Sequence, residues 1–145
     1  MKRFVPVVVG LIFAVAVSGC NSAYKKHEEV IQGLVKATSD FADALESVKD
    51  RETAKAAAVK INRIVDQLEE LGKKAEDLPL ITKRDDDKLI EKYKPEIKKQ
   101  QERVEKVAFQ AGVNSGGEPS FQKALERFKA VGEKLQKIAE KRKAK

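Results

Sequence analysis

Apolar residues recur along this chain in steps of three and four. Ile31, Leu34, Thr38, Phe41, Leu45 and Val48 form one stripe, and Ala54, Ala57, Ile61, Ile64, Leu68, Leu71, Ala75 and Leu78 form a second. A third runs Ile90, Tyr93, Ile97, Gln100, Val104, Val107 and Ala111, and a fourth Phe121, Ala124, Phe128, Val131, Leu135 and Ile138. That spacing places each set on one face of a helix, with polar residues on the other faces. No comparable run alternates with the period of two that a half-buried strand requires.

Breaks separate the stripes. Lys49-Asp50-Arg51-Glu52-Thr53 interrupts the first two, with Thr53 a candidate N-cap. Pro79 closes the second, and a polar run to Asp87 follows. Asn114-Ser115-Gly116-Gly117 and Pro119 precede the fourth, with Ser115 or Ser120 as candidate caps. The predicted helices span about 25–49, 53–78, 87–112 and 119–142. Pro95 falls inside the third stripe, so that helix either starts there or starts near Asp87 and kinks. The longer, kinked helix keeps Tyr93 on the stripe and is preferred. Each stripe must be buried against another, and short connections favour antiparallel neighbours. The expected fold is all-α, an antiparallel up-down-up-down four-helix bundle.

Composition supports helices and narrows the chemistry. Ala, Leu, Lys and Glu dominate, and the chain has no tryptophan. Its one histidine, His27, and one cysteine, Cys20, supply no paired nucleophile and base. There is no Glu-x-x-His pair for a di-iron bundle, no haem-attachment motif, and no methionine after Met1. The acidic run Asp85-Asp86-Asp87 lacks the alternating ligands and central glycine of a calcium loop and suits the start of a helix instead. A non-enzymatic protein without cofactor or metal is expected.

The first twenty residues read differently. Lys2 and Arg3 precede a mostly apolar stretch, 4–17, which ends in Val17-Ser18-Gly19-Cys20. A basic start, a short apolar run and small residues before a cut are marks of a secretory signal. Fourteen residues fall short of the roughly 20 that a membrane-spanning helix needs. Val17-Ser18-Gly19-Cys20 resembles the lipobox of bacterial lipoprotein precursors. The resemblance covers only this segment and implies cleavage between Gly19 and Cys20, with lipid attached to Cys20. Residues 1–19 are then a removed signal helix, 20–24 a lipidated cysteine and short tether, and 25–145 the bundle. Asn21 after the cysteine resembles the outer-membrane sorting pattern of enterobacteria. The implied location is the cell envelope, and in a Gram-negative host the periplasmic face of the outer membrane.

Loss of Lys2 and Arg3 takes the basic residues from 30 to 28 against 23 acidic ones, a net charge near +5 over the remaining 126 residues. Mixed signs along most of the chain indicate a salt-laced helical surface. The C-terminal stretch is the exception, with Lys137, Lys141, Arg142, Lys143 and Lys145. With Lys25 and Lys26 beside the anchor, these are candidate contacts to an anionic surface such as head groups or cell-wall polymer. No aromatic residue lies among them to stack on bases, so no nucleic-acid partner is expected. The lysine-rich ending resembles in kind that of Braun-type murein lipoproteins, whose continuous coiled coils this broken chain does not share. The expected partners are membrane lipid, through acylated Cys20, and an envelope protein or the cell wall. The leading expectation is an anchored bundle presenting an interaction surface. A small-ligand or anionic-surface binding module and a periplasmic helical chaperone are the alternatives. Thr38 and Gln100, polar on apolar stripes, are where a ligand cavity is sought.

Overall fold

The structure, a computed structural model, describes residues 21–143, and these form four helices with no strand among them. They are α1 (Asn21–Glu46), α2 (Arg51–Asp77), α3 (Lys83–Asn114) and α4 (Pro119–Lys143). The signal segment, Gly19, Cys20 and Lys145 lie outside the described residues. Residues 21–24, expected as a tether, are already helical, and Ala23 is buried.

Local chemistry explains how the helix ends differ from expectation. Asp50, not Thr53, caps α2. Its Oδ1 accepts the Thr53 backbone N–H at 2.8 Å, while Thr53 Oγ1 accepts the Asp50 N–H at 2.9 Å. This reciprocal capping box satisfies two donors at once. Leu78 is extended (ψ 137°), as expected of a residue crowded by a following proline. α3 starts four residues earlier than expected because Thr82 caps it, its Oγ1 accepting from the Asp85 N–H. Asp85 and Asp86 then sit in the first turn, where the helix dipole favours carboxylates.

Pro95 lies inside α3, which runs through it without interruption. The residue is exposed, so the carbonyl it leaves without a helical partner can be met by water. Ser115 is the C-cap of α3, followed by Gly116 and Gly117 at φ 55° and 72°, conformations that favour glycine. Pro119 takes the first position of α4, with the Glu118 carbonyl accepting the Gln122 N–H. Ser120 is therefore inside the helix and not its cap.

The chain runs up, down, up and down, as expected, and its cross-helix contacts show which helices are side by side. α1 and α2 pack together as an antiparallel pair, α3 packs on α1 and α4 on α2. Glu28 meets Lys92, Glu46 meets Arg103 and the Val48 carbonyl meets Asn114, so α3 lies parallel to α1. Arg51 meets Glu118, Asp66 meets Arg127 and Glu69 meets Lys134, so α4 lies parallel to α2. The spatial order is α3, α1, α2, α4. The last two connections are short but do not join side-by-side helices. Residues 78–82 cross beneath the start of α1, where Ile81 is buried with Ala23, Ile31 and Leu89.

The first stripe is buried throughout, Thr38 included. In the second, Leu71 and Leu78 are only partly covered. The third stripe slips by one residue before Pro95: Leu89 is fully buried while Ile90 is half-exposed. Phe121, Ala124, Val131 and Leu135 carry α4 into the main core. Phe128 stacks on Phe41 of α1 with ring centroids 3.7 Å apart.

Candidate functional site

One end of the bundle gathers the start of α1, the end of α2, the start of α3 and the end of α4. It is also the end closest in sequence to Cys20. Two contacts show how it is assembled. His27 Nε2 lies 2.7 Å from the Pro79 carbonyl oxygen, tying the second turn of α1 to the α2–α3 connection. The Arg142 guanidinium donates to the Ala75 carbonyl in the last turn of α2. Burial holds the His27 imidazole below its usual pKa, partly countered by the bond to Pro79, with Arg142 adding to the depression. Burial also lowers the Arg142 guanidinium, with Asp86 opposing that shift.

The candidate surface residues are distributed unevenly over this end. Lys25, Lys26 and Lys141 are exposed on it. Lys137 is exposed as well, but five residues before Arg142 on α4, about 7 Å higher along the bundle. Arg142 is half-buried, and its Nη2 has no hydrogen-bond partner. Its place is between helices, as a clamp on α2, and not on the outer face. Lys143 is the last residue of α4. Exposed Glu29, Glu76, Asp77 and Glu140 stand among these lysines, so the end is mixed in charge.

The two polar stripe residues mark no ligand cavity. Thr38 Oγ1 donates to the Leu34 carbonyl one turn back at 2.9 Å, which satisfies it within its own helix. Gln100 is buried and donates through Nε2 to Glu96 at 2.6 Å, while its Oε1 is left without a partner. A groove of about 300 Å³ between α1 and α2, bordered by Asp40, Asp43, Lys60, Arg63 and Ile64, includes neither. It opens to solvent. Among the described residues, no three or more His, Cys, Asp or Glu side chains converge where they could hold a metal ion. Asp85 is occupied by Thr82 and Lys88. No helix among the described residues is long and apolar enough to cross a membrane.

Some features could not be found from stripes. Glu28 accepts from both Lys92 and Tyr93, and Arg103 bridges Asp43 and Glu46. These partners stand some sixty residues apart, and nothing local links them. By contrast, Phe109 and Val113 fall off the third stripe, and that signal was available. They are exposed by 64% and 60%, one turn apart near the far end of α3. The chain matches no known protein family, no curated protein and no solved structure.

Proposed function

We propose that the protein is a bacterial lipoprotein whose non-catalytic bundle is held against an envelope membrane and presents an interaction surface to a protein or cell-wall partner. In a Gram-negative host the membrane is the outer one, on its periplasmic face. One observation carries the reading: the lipobox cysteine is followed without a spacer by packed helix. Ala23, 6% exposed, is only three residues beyond Cys20. Even fully extended, three residues span no more than about 11 Å. A lipid on Cys20 therefore holds the bundle at the bilayer. Two or three acyl chains suffice for stable attachment, where a single chain is marginal.

The opposite end then faces away from the membrane. α1, at 26 residues, separates the two ends by about 39 Å. Phe109 and Val113 stand near that far end, and exposed apolar side chains one turn apart suit a protein contact better than a wall polymer. Metabolic labelling with palmitate should mark the native chain, and Cys20→Ser should lose both the label and the membrane association. An unlabelled native chain, or a Cys20→Ser form still in membranes, overturns the anchor. A photo-crosslinker at position 109 in labelled cells should yield a discrete adduct. Its absence there, with adducts from the anchor end, would move the partner surface elsewhere.

A further inference from the structure

The α2–α3 connection exposes an apolar corner beside the anchor. Leu78 and Thr82 are extended at ψ 137° and 149°, and residues 79–82 belong to no helix. Ile81, 2% exposed, turns inward onto Ala23, Ile31 and Leu89. Its neighbour Leu80 is half-exposed, next to the exposed Pro79. The corner is not free to swing away: His27 holds the Pro79 carbonyl on one side and buried Ile81 holds the other. Tyr24, half-buried against the same small cluster, completes it.

We infer that Pro79 and Leu80 rest in the phospholipid head-group layer, as a second, non-covalent membrane contact beside the lipid on Cys20. This rests on the lipoprotein reading above. Ile81, next to the pair, is buried in one cluster with Ala23, which itself lies within about 11 Å of Cys20. The interfacial zone of each leaflet is roughly 5–8 Å deep. A short apolar pair beside a tyrosine suits that zone, where apolar and polar surroundings meet. Charge contributes little. Next to the corner, exposed Lys74, Lys83 and Arg84 alternate with exposed Glu76, Asp77 and Asp87, and the uncharged Pro79 and Leu80 themselves make a contact that persists in high salt.

Because Cys20 is the only cysteine, a lipidated chain has no free thiol until one is introduced. Leu80→Cys and Pro79→Cys, made in the full precursor and processed in cells, would each carry an environment-sensitive fluorophore. Phe109→Cys gives the far-end control. The purified proteins are placed in vesicles of phosphatidylethanolamine and phosphatidylglycerol. Labels at 79 and 80 should be quenched by nitroxide-bearing lipid and shielded from iodide, unchanged in high salt, while the label at 109 behaves oppositely. Palmitate incorporation, read on the same preparations, separates the two claims. Acylated protein whose labels at 79 and 80 are as open to iodide as that at 109 overturns the corner and leaves the anchor standing. Protein without palmitate overturns both. Should Leu80→Cys lose helicity by circular dichroism, exposed Pro79→Cys decides the matter alone.

Discussion

The two outer helices are attached to the central α1–α2 pair by different means. α4 enters the main core through Phe121, Ala124, Val131 and Leu135, all at most 5% exposed. α3 is longer, at 32 residues, yet buries only Leu89, Ile97, Gln100 and Ala111. The rest of its contact is partly buried, Val104, Val107 and Ala108 against the core, together with charged groups, Lys92 on Glu28 at 2.5 Å and Arg103 on Glu46 and Asp43. One of its four buried side chains, Gln100, carries an unpartnered oxygen. Apolar burial scales with area and tolerates salt, whereas partly exposed ion pairs contribute little and are screened. α4 therefore belongs to the better-buried core, and α3 is the element expected to open first.

The largest expected effect sharpens that contrast. Phe121→Ala removes a 1% exposed ring from the α4 side and should destabilise the whole bundle by about 3–5 kcal/mol in chemical denaturation. Ile97→Ala on α3, 6% exposed, should cost nearer 2 kcal/mol, with hydrogen exchange accelerated chiefly in α3. Equal global costs from the two truncations would break the comparison.

A smaller effect concerns the ion pairs. Hydrogen bonds from Lys92 and then Tyr93 hold the Glu28 carboxyl below the ordinary glutamate range, and Arg103 does the same for Glu46. Carboxylates depressed in the folded state stabilise it fully above the unfolded value, about 4.3, and lose that contribution as pH falls through their folded values. Acidification below about pH 4.3 should therefore loosen α3 along its length, and α4 only at its start, where Arg51 likewise depresses Glu118. Residue-resolved hydrogen exchange reads this directly. Arg103→Ala should produce a similar selective loss at neutral pH, and the difference from the native chain should shrink as salt is added.

The smallest effects come from two glycines. A Cβ at Gly112 in α3 meets nothing within 4 Å, so Gly112→Ala should raise stability by about 0.5–1 kcal/mol through helix propensity. A Cβ at Gly72 in α2 would lie 2.7 Å from Leu135 Cδ2 of α4. Leu135 is 5% exposed and has little room to move, so Gly72→Ala should lower the thermal midpoint despite the same propensity gain. A rise for both would mean that the α2–α4 contact is looser than its geometry.

Much of this was legible in the residues. The first stripe is buried at every position predicted, and proline and glycine mark the breaks where they fall. The third helix was the hardest to read, because Leu89 and Ile90 are adjacent and a proline follows. Either can start a stripe, and only packing against α1 decides between them. The stripe places the start of the third helix at Asp87, beyond Thr82, so periodicity does not reveal Thr82 as the cap. At the anchor end, charge alone points to Lys25, Lys26 and Lys141. That Arg142 clamps α2 while Leu80 stays half-exposed depends on contacts with residues far along the chain.

Periodicity and breaker residues act over one or two turns, so the sequence by itself determined four amphipathic helices, their approximate limits and the faces they bury. The pairing of those helices is another matter. Stripes of the same period are interchangeable as partners, and side-chain fit alone chose the order α3, α1, α2, α4. The same long-range fit brought the end of α4 and the α2–α3 connection beside the start of α1, because the helices of a pair must lie flush to exclude water from both faces.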